Sequence, residues 1–184
     1  MTFYFLPRHI VLYFGILCKN KSKYGKRVCE EIMRLKKVRV YADLNIKEVA
    51  NMLGVSRSSY NTWEREYDII PLRQLDKFCS IFHVSLDFVL GFSDEWSYPN
   101  SRDTIDPELL AKRIKRIRRE NDLTQDELAK ILNITRSSIS KYEHGINLAL
   151  TSYIMGFCKY FHISADFVTG RIDEEIVLDA KINS

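Results

Sequence analysis

A chain of 184 residues, 46% hydrophobic and 28% charged, has room for one ordinary core or two small ones, and its composition excludes a disordered tail. The net charge of +4 permits contact with an anionic polymer without demanding it. Its distribution says more: residues 1–33 carry +4, 34–91 carry +2, 92–108 carry −4, 109–170 carry +4 and 171–184 carry −2, so two basic blocks flank an acidic connector.

The first seventeen residues, MTFYFLPRHIVLYFGIL, are strongly apolar. A membrane span needs about 20 such residues, and this run is broken by Pro7, Arg8 and His9. A signal peptide needs a positive start and a small-residue cleavage site, and neither is clear. Residues 1–29 are therefore read as an apolar and basic extension, with Met33 as an alternative start, and a membrane is not the expected partner. Four cysteines (Cys18, Cys29, Cys79 and Cys158) form no CxxC pair and no cluster with zinc-ligand spacing. Free thiols in a reducing cytoplasm, with no metal and no cofactor, are the expectation.

An internal repeat organises the rest of the chain. At an offset of 79, residues 34–91 align with 113–170 without a gap, and about 21 of the 58 positions are identical. Two copies are too few for a solenoid, and each is long enough to enclose its own core. The expected domains are 30–92, a degenerate first unit, and 108–171, a cleaner second unit. An acidic connector at 93–107 joins them, and a short tail at 172–184 closes the chain.

Each unit reads as five short helices. In the first, Asn45-Ile-Lys-Glu48 caps helix two, Gly54 ends it, Ser56 caps helix three, and Tyr60 and Trp63 face inward. In the second, Leu110, Ile114 and Ile117 mark the apolar face of helix one. Thr124 and Glu127 form a capping box, Leu128, Ile131 and Leu132 give helix two its buried side, and Asn133 stops it. Thr135 caps helix three, whose inner face holds Ile139 and Tyr142 and which Gly145 ends. Ile154, Phe157 and Phe161 line helix four, Ser164 starts a last short helix, and Gly170 closes it. Nothing reads as a strand. The fold class is all-α.

The stretch LTQDELAKILNITRSSISKYEHG at 123–145 resembles the lambda-repressor-like, or Xre, helix-turn-helix family, and LNIKEVANMLGVSRSSYNTWERE at 44–66 resembles it more loosely. The resemblance implies two tandem five-helix domains whose third helices enter the DNA major groove. It places Thr135, Arg136, Ser137 and Lys141 at base-contacting positions, with Arg57, Ser58 and Thr62 as their counterparts. Thr124, Gln125, His144 and Arg65 fall at or beside phosphate-contacting positions. It also implies two buried ion pairs, Arg118 with Glu143 and Arg39 with Glu64. A major groove about 12 Å wide admits one helix, and an arginine there can grip a guanine through two hydrogen bonds. The remaining cations of helix one (Lys112, Arg113, Lys115, Arg116 and Arg119) read equally as a solvated face or as phosphate contacts.

The copies are unequal. The first has Thr62 for Lys141 and Ile46 for Gln125, and Glu66 and Asp68 stand where the second has Gly145 and Asn147. Those carboxylates would repel phosphate, which Arg65, Arg34, Lys36 and Lys37 offset in part. The connector from Phe92 to Pro107 reaches about 50 Å when extended, enough for major-groove faces about 34 Å apart. Trp96 and Tyr98 are candidates to dock it. No phosphate loop, GxGxxG, GxSxG or HExxH motif occurs, and the Ser-Ser pairs at 58–59 and 137–138 have no His/Asp support, so an enzyme is not expected. His83 and His162 read as core or capping residues. The expected function is a sequence-specific double-stranded DNA-binding transcriptional regulator, acting as a repressor. A homodimer is compatible with the sequence, and no small-molecule substrate is evident. The alternative is a protein-interaction or antitoxin-like module with weak or no DNA binding.

Overall fold

Side-chain caps punctuate the chain. In the computed structural model, which describes residues 33–178, Asn45 accepts from the amides of Lys47 and Glu48, and Glu48 returns a bond to the Asn45 amide. Thr124 and Glu127 repeat the arrangement 79 residues later. Ser56 and Thr135 each accept from the amide three residues on. Such caps are worth about 1 kcal/mol each, and here they set where short helices begin. The N-terminal extension, with its start-site and membrane readings, lies outside the described residues.

The first repeat comprises α1 (Leu35–Tyr41), α2 (Ile46–Leu53), α3 (Arg57–Glu64), α4 (Leu72–Phe82) and α5 (Leu86–Val89). The second comprises α6 (Pro107–Glu120), α7 (Gln125–Ile131), α8 (Arg136–Glu143), α9 (Thr151–Phe161) and α10 (Ala165–Val168). Among the described residues, one isolated bridge between Ile163 and Val177 is the only extended pairing. The fold is all-α, in two tandem five-helix units.

The backbone repeats as well as the helices. Positive φ occurs at Asp43, Gly54, Glu66, His83 and Gly91, and again at Asp122, Asn133, Gly145, His162 and Gly170, each pair 79 residues apart. His83 and His162 are therefore helix-ending residues, exposed and left-handed. Glu66 is a non-glycine in this region (φ 57°), and its carboxylate accepts from the Met33 amide at 2.8 Å. Each unit has its own aromatic core. Phe78 lies between Tyr60 and Phe82, while Phe157 lies between Tyr153 and Phe161.

The connector is docked, not extended. Trp96 packs on Phe88 and Tyr41, and its carbonyl accepts from the Ser85 amide at 2.7 Å. Tyr98 donates to Asp87 at 3.0 Å. Arg102 grips Asp173 with both terminal guanidinium nitrogens. The tail through Leu178 folds back, with the Ser164 amide donating to the Ile176 carbonyl and the Leu178 amide to that of His162. These bonds place connector and tail within the packed body, with Trp96 and Tyr98 holding the connector.

The two repeats meet through their last helices. The amides of Leu86 and Asp87 donate to the Asp166 carboxylate at 3.0 and 2.8 Å. Reciprocally, the Ala165 amide donates to Asp87 at 2.6 Å, and the Ser164 hydroxyl donates to the same carboxylate. Both aspartates are buried. Burial pushes the Asp166 carboxyl up to about 7, the adjacent Asp87 charge adds to the effect, and the amide bonds oppose it. Asp87 is likewise raised by burial. The thiols of Cys79 and Cys158 are free, fully buried and driven well above their usual range by desolvation.

Candidate nucleic-acid interface

In the second repeat, α7 and α8 pack against each other across a tight turn at 132–135, where Asn133 takes the left-handed conformation. The inner side of α8 is apolar. Ile139 is fully buried, and Tyr142 packs on Tyr153 with ring centroids 4.8 Å apart. The opposite side is left to solvent: Arg136, Ser137 and Lys141 are exposed. Arg136 retains 66% of its side-chain surface and touches Asp126 at 3.5 Å, an exposed pair of small energetic weight.

The far end of α8 is held by an ion pair. Arg118 of α6 meets Glu143 through Nε at 2.5 Å and Nη2 at 2.9 Å, and its Nη1 donates to the Leu123 carbonyl at 2.6 Å. The Arg118 side chain is 9% exposed and that of Glu143 fully buried. Burial pushes the Glu143 carboxyl up, but bonds from Arg118 and Gln125 outweigh it and leave the acid below its usual range. The hydrogen bond to Glu143 correspondingly raises the Arg118 guanidinium. This pair ties α6, α7 and α8 at one point and fixes the tilt of α8.

Gln125 stands at the start of α7, yet its amide donates to Glu143 at 2.9 Å, so its nitrogen is already engaged. The Thr135 hydroxyl bonds the amide and hydroxyl of Ser138, and that of Thr124 donates to Glu127. His144 is exposed, with Nδ1 2.7 Å from the Ser140 carbonyl.

The first repeat holds the same frame with different chemistry. Arg39 meets Glu64 at 2.7 and 2.8 Å and donates to the Leu44 carbonyl at 2.8 Å. Ile46 offers no donor to that pair. The buried Tyr60 hydroxyl lies beside that pair, and burial together with the Glu64 charge raises it well above its usual range. On the outer side of α3, Arg57 and Ser58 are exposed, while the Thr62 hydroxyl donates to the Ser58 carbonyl at 2.8 Å. Arg65 is exposed beyond the helix.

Two cations of α6 leave the set of open phosphate contacts. Arg113 is buried over the Phe167 ring, 4.1 Å from its centroid, and bonds the carbonyls of Phe167 and Ile172. Arg116 reaches Glu175 of the tail at 2.8 Å. Arg34 repeats the role of Arg113, 5.0 Å over Phe88 and bonded to the Ser93 carbonyl and Asp94. Sequence reasoning missed this role and that of Asp87 and Asp166. The signal was present, because both pairs are identical between repeats although neither lies on a reading helix.

No helix among the described residues is long and apolar enough to cross a membrane, and no cluster of metal-ligating side chains occurs among them. The chain is similar to the antitoxin PezA of Streptococcus pneumoniae, 39% identical over 63 residues, which cover 34% of this chain and 40% of PezA. It is also similar to the HTH-type transcriptional regulator YobD of Bacillus subtilis, 28% identical over 93 residues, which cover half of this chain and 75% of YobD. A family profile described as Helix-turn-helix matches twice, at residues 35–89 and 114–168, together more than half the chain. With two such matches on two corresponding five-helix units, the chain belongs to the Xre-like helix-turn-helix family.

Proposed function

We propose that the chain is a cytoplasmic transcriptional regulator that binds double-stranded DNA and represses by occupying its site. The observation that carries this reading is α8, a short helix anchored at its base by Ile139, Tyr142 and the Arg118–Glu143 pair, with Arg136, Ser137 and Lys141 turned outward. A reading helix must present such side chains near its N-terminus to reach base edges. Arg136 is the primary base reader. Lys141 and Ser137 extend the contact, and Thr135 adds an acceptor beside them. Thr124, Gln125 and His144 set register on phosphates, which carry no sequence information. In the first repeat Arg57, Ser58 and Thr62 read, and Arg65 docks.

The test is binding of the full chain to DNA selected from random duplexes, followed by fluorescence anisotropy. Arg136→Ala should lose about 1–3 kcal/mol of discrimination at one base position. Lys141→Ala should weaken binding and lower the salt dependence. If both variants bind as the parent does, α8 does not read DNA. The similarity to PezA supports a second reading, a surface for a protein partner, and exposed Tyr67, Ile69, Ile146 and Leu150 would suit it. Absence of any enriched DNA would favour that reading.

A further inference from the structure

The contact between repeats has the form of a two-fold. The Leu86 amide meets Asp166 Oδ1, and the Ala165 amide, its counterpart 79 residues on, meets Asp87 Oδ1. When residue i contacts j and the counterpart of j contacts that of i, the surfaces are related by a two-fold axis. The same axis gathers the loops that come after the reading helices, because Thr151 donates its hydroxyl to the Ile70 carbonyl at 2.5 Å. Ile70 lies only six residues beyond α3, and Thr151 eight beyond α8. At about 3.5 Å per residue, the two reading helices end within reach of successive major-groove faces.

The pairing is also between unlike halves. Arg171 of the second repeat, 4% exposed, donates to Asp76 of α4 at 2.7 Å. The counterparts of these residues are Phe92 and Met155. In a pair of two second repeats, Arg171 would face Met155. In a pair of two first repeats, Asp76 would face Phe92. Each arrangement costs a buried charge its partner across the contact, Arg171 keeping only Asp166 of its own repeat 3.4 Å away, which disfavours like-with-like pairing between chains. The connector adds to this preference, since the Ile105 amide donates to Asp76 and the Arg171 carbonyl accepts from Arg102. Tethering raises the local concentration of the correct partner.

The outward faces differ in one half only. Arg57 matches Arg136 and Ser58 matches Ser137, but Asn61 stands for Ser140 and Thr62 for Lys141. We infer that one chain occupies one operator as a built-in dimer, and that the operator has two inverted, unequal arms. The arms share the bases opposite Arg57 and Arg136 and differ at those opposite Thr62 and Lys141. This rests on the DNA-reading function proposed above.

The experiment selects sites with the full chain and weighs the complex by sedimentation or native mass spectrometry. One chain per duplex is expected, on an inverted repeat with unlike arms about one helical turn apart. The variant N61S/T62K, changed only on the outer side of α3, should recover arms that resemble each other while keeping one chain per duplex. A perfect palindrome with two chains, a single arm, or a direct repeat overturns this inference and leaves DNA reading intact. Failure to enrich any sequence overturns both.

Discussion

The buried aspartates between the repeats make stability depend on pH in a calculable direction. Asp166 sits near 7 in the folded chain against 3.8 when unfolded. The unfolded carboxyl ionises first, so stability is full below about pH 4 and falls as pH rises through 7. That difference corresponds to at most about 4 kcal/mol, a figure that already includes the opposing charge of Arg171, 3.4 Å away. For a chain of this size 1 kcal/mol moves Tm by about 2–4 °C. Melting followed by circular dichroism should therefore fall by several degrees between pH 5 and pH 8. Asp166→Asn cannot ionise and keeps an acceptor for only one of the Leu86 and Asp87 amides, so its melting temperature should be lower at pH 5 and vary less over that range. Parallel profiles for the two proteins would refute the assignment.

Other consequences are separable from this one. Glu143→Ala leaves Arg118 buried without its counter-ion and should cost about 3–5 kcal/mol in urea unfolding, with helix content retained at low denaturant. Gly170→Ala places a Cβ 3.0 Å from that of Asp106 at φ +83°, whereas at Gly54 (φ +73°) the nearest atom is the flexible end of Lys77 at 3.7 Å. Both should destabilise, Gly54→Ala by about 1 kcal/mol and Gly170→Ala by clearly more, measured in the same assay. Asp76→Ala removes one of the two carboxylates at the buried Arg171 guanidinium, leaving Asp166 at 3.4 Å, and should destabilise by about 1–3 kcal/mol, and the added variant Arg171→Met should recover part of the loss. If the double variant is no better than the single, the two side chains do not form an energetic pair.

What the sequence revealed was whatever is local. The caps at Asn45, Ser56, Thr124 and Thr135 and the inward faces through Tyr60, Trp63, Ile139 and Tyr142 depend on neighbours within one or two turns. Their spacing therefore carries the information. The family resemblance added the meeting of Arg118 with Glu143, 25 residues apart, which spacing alone does not fix. The packing of one repeat on the other was not legible. Asp76 and Arg171 are 95 residues apart and differ from their counterparts, so neither periodicity nor the repeat marks them. Asp87 and Asp166 were marked by identity, but an aspartate in SLDF or SADF reads first as a helix-start residue, and only the fold shows that it accepts from the opposite helix. The basic face of α6 was misleading for a similar reason: Arg113 is charged, yet an aromatic ring and two carbonyls draw it inward.

In a symmetric homodimer every substitution is made twice, so a loss of about 1.4 kcal/mol per arm becomes a hundredfold fall in affinity. A chain that joins unlike halves through Asp76 and Arg171 feels the same change once, as a tenfold fall. Its two halves are therefore free to drift toward different targets one residue at a time, without either change dissolving the assembly.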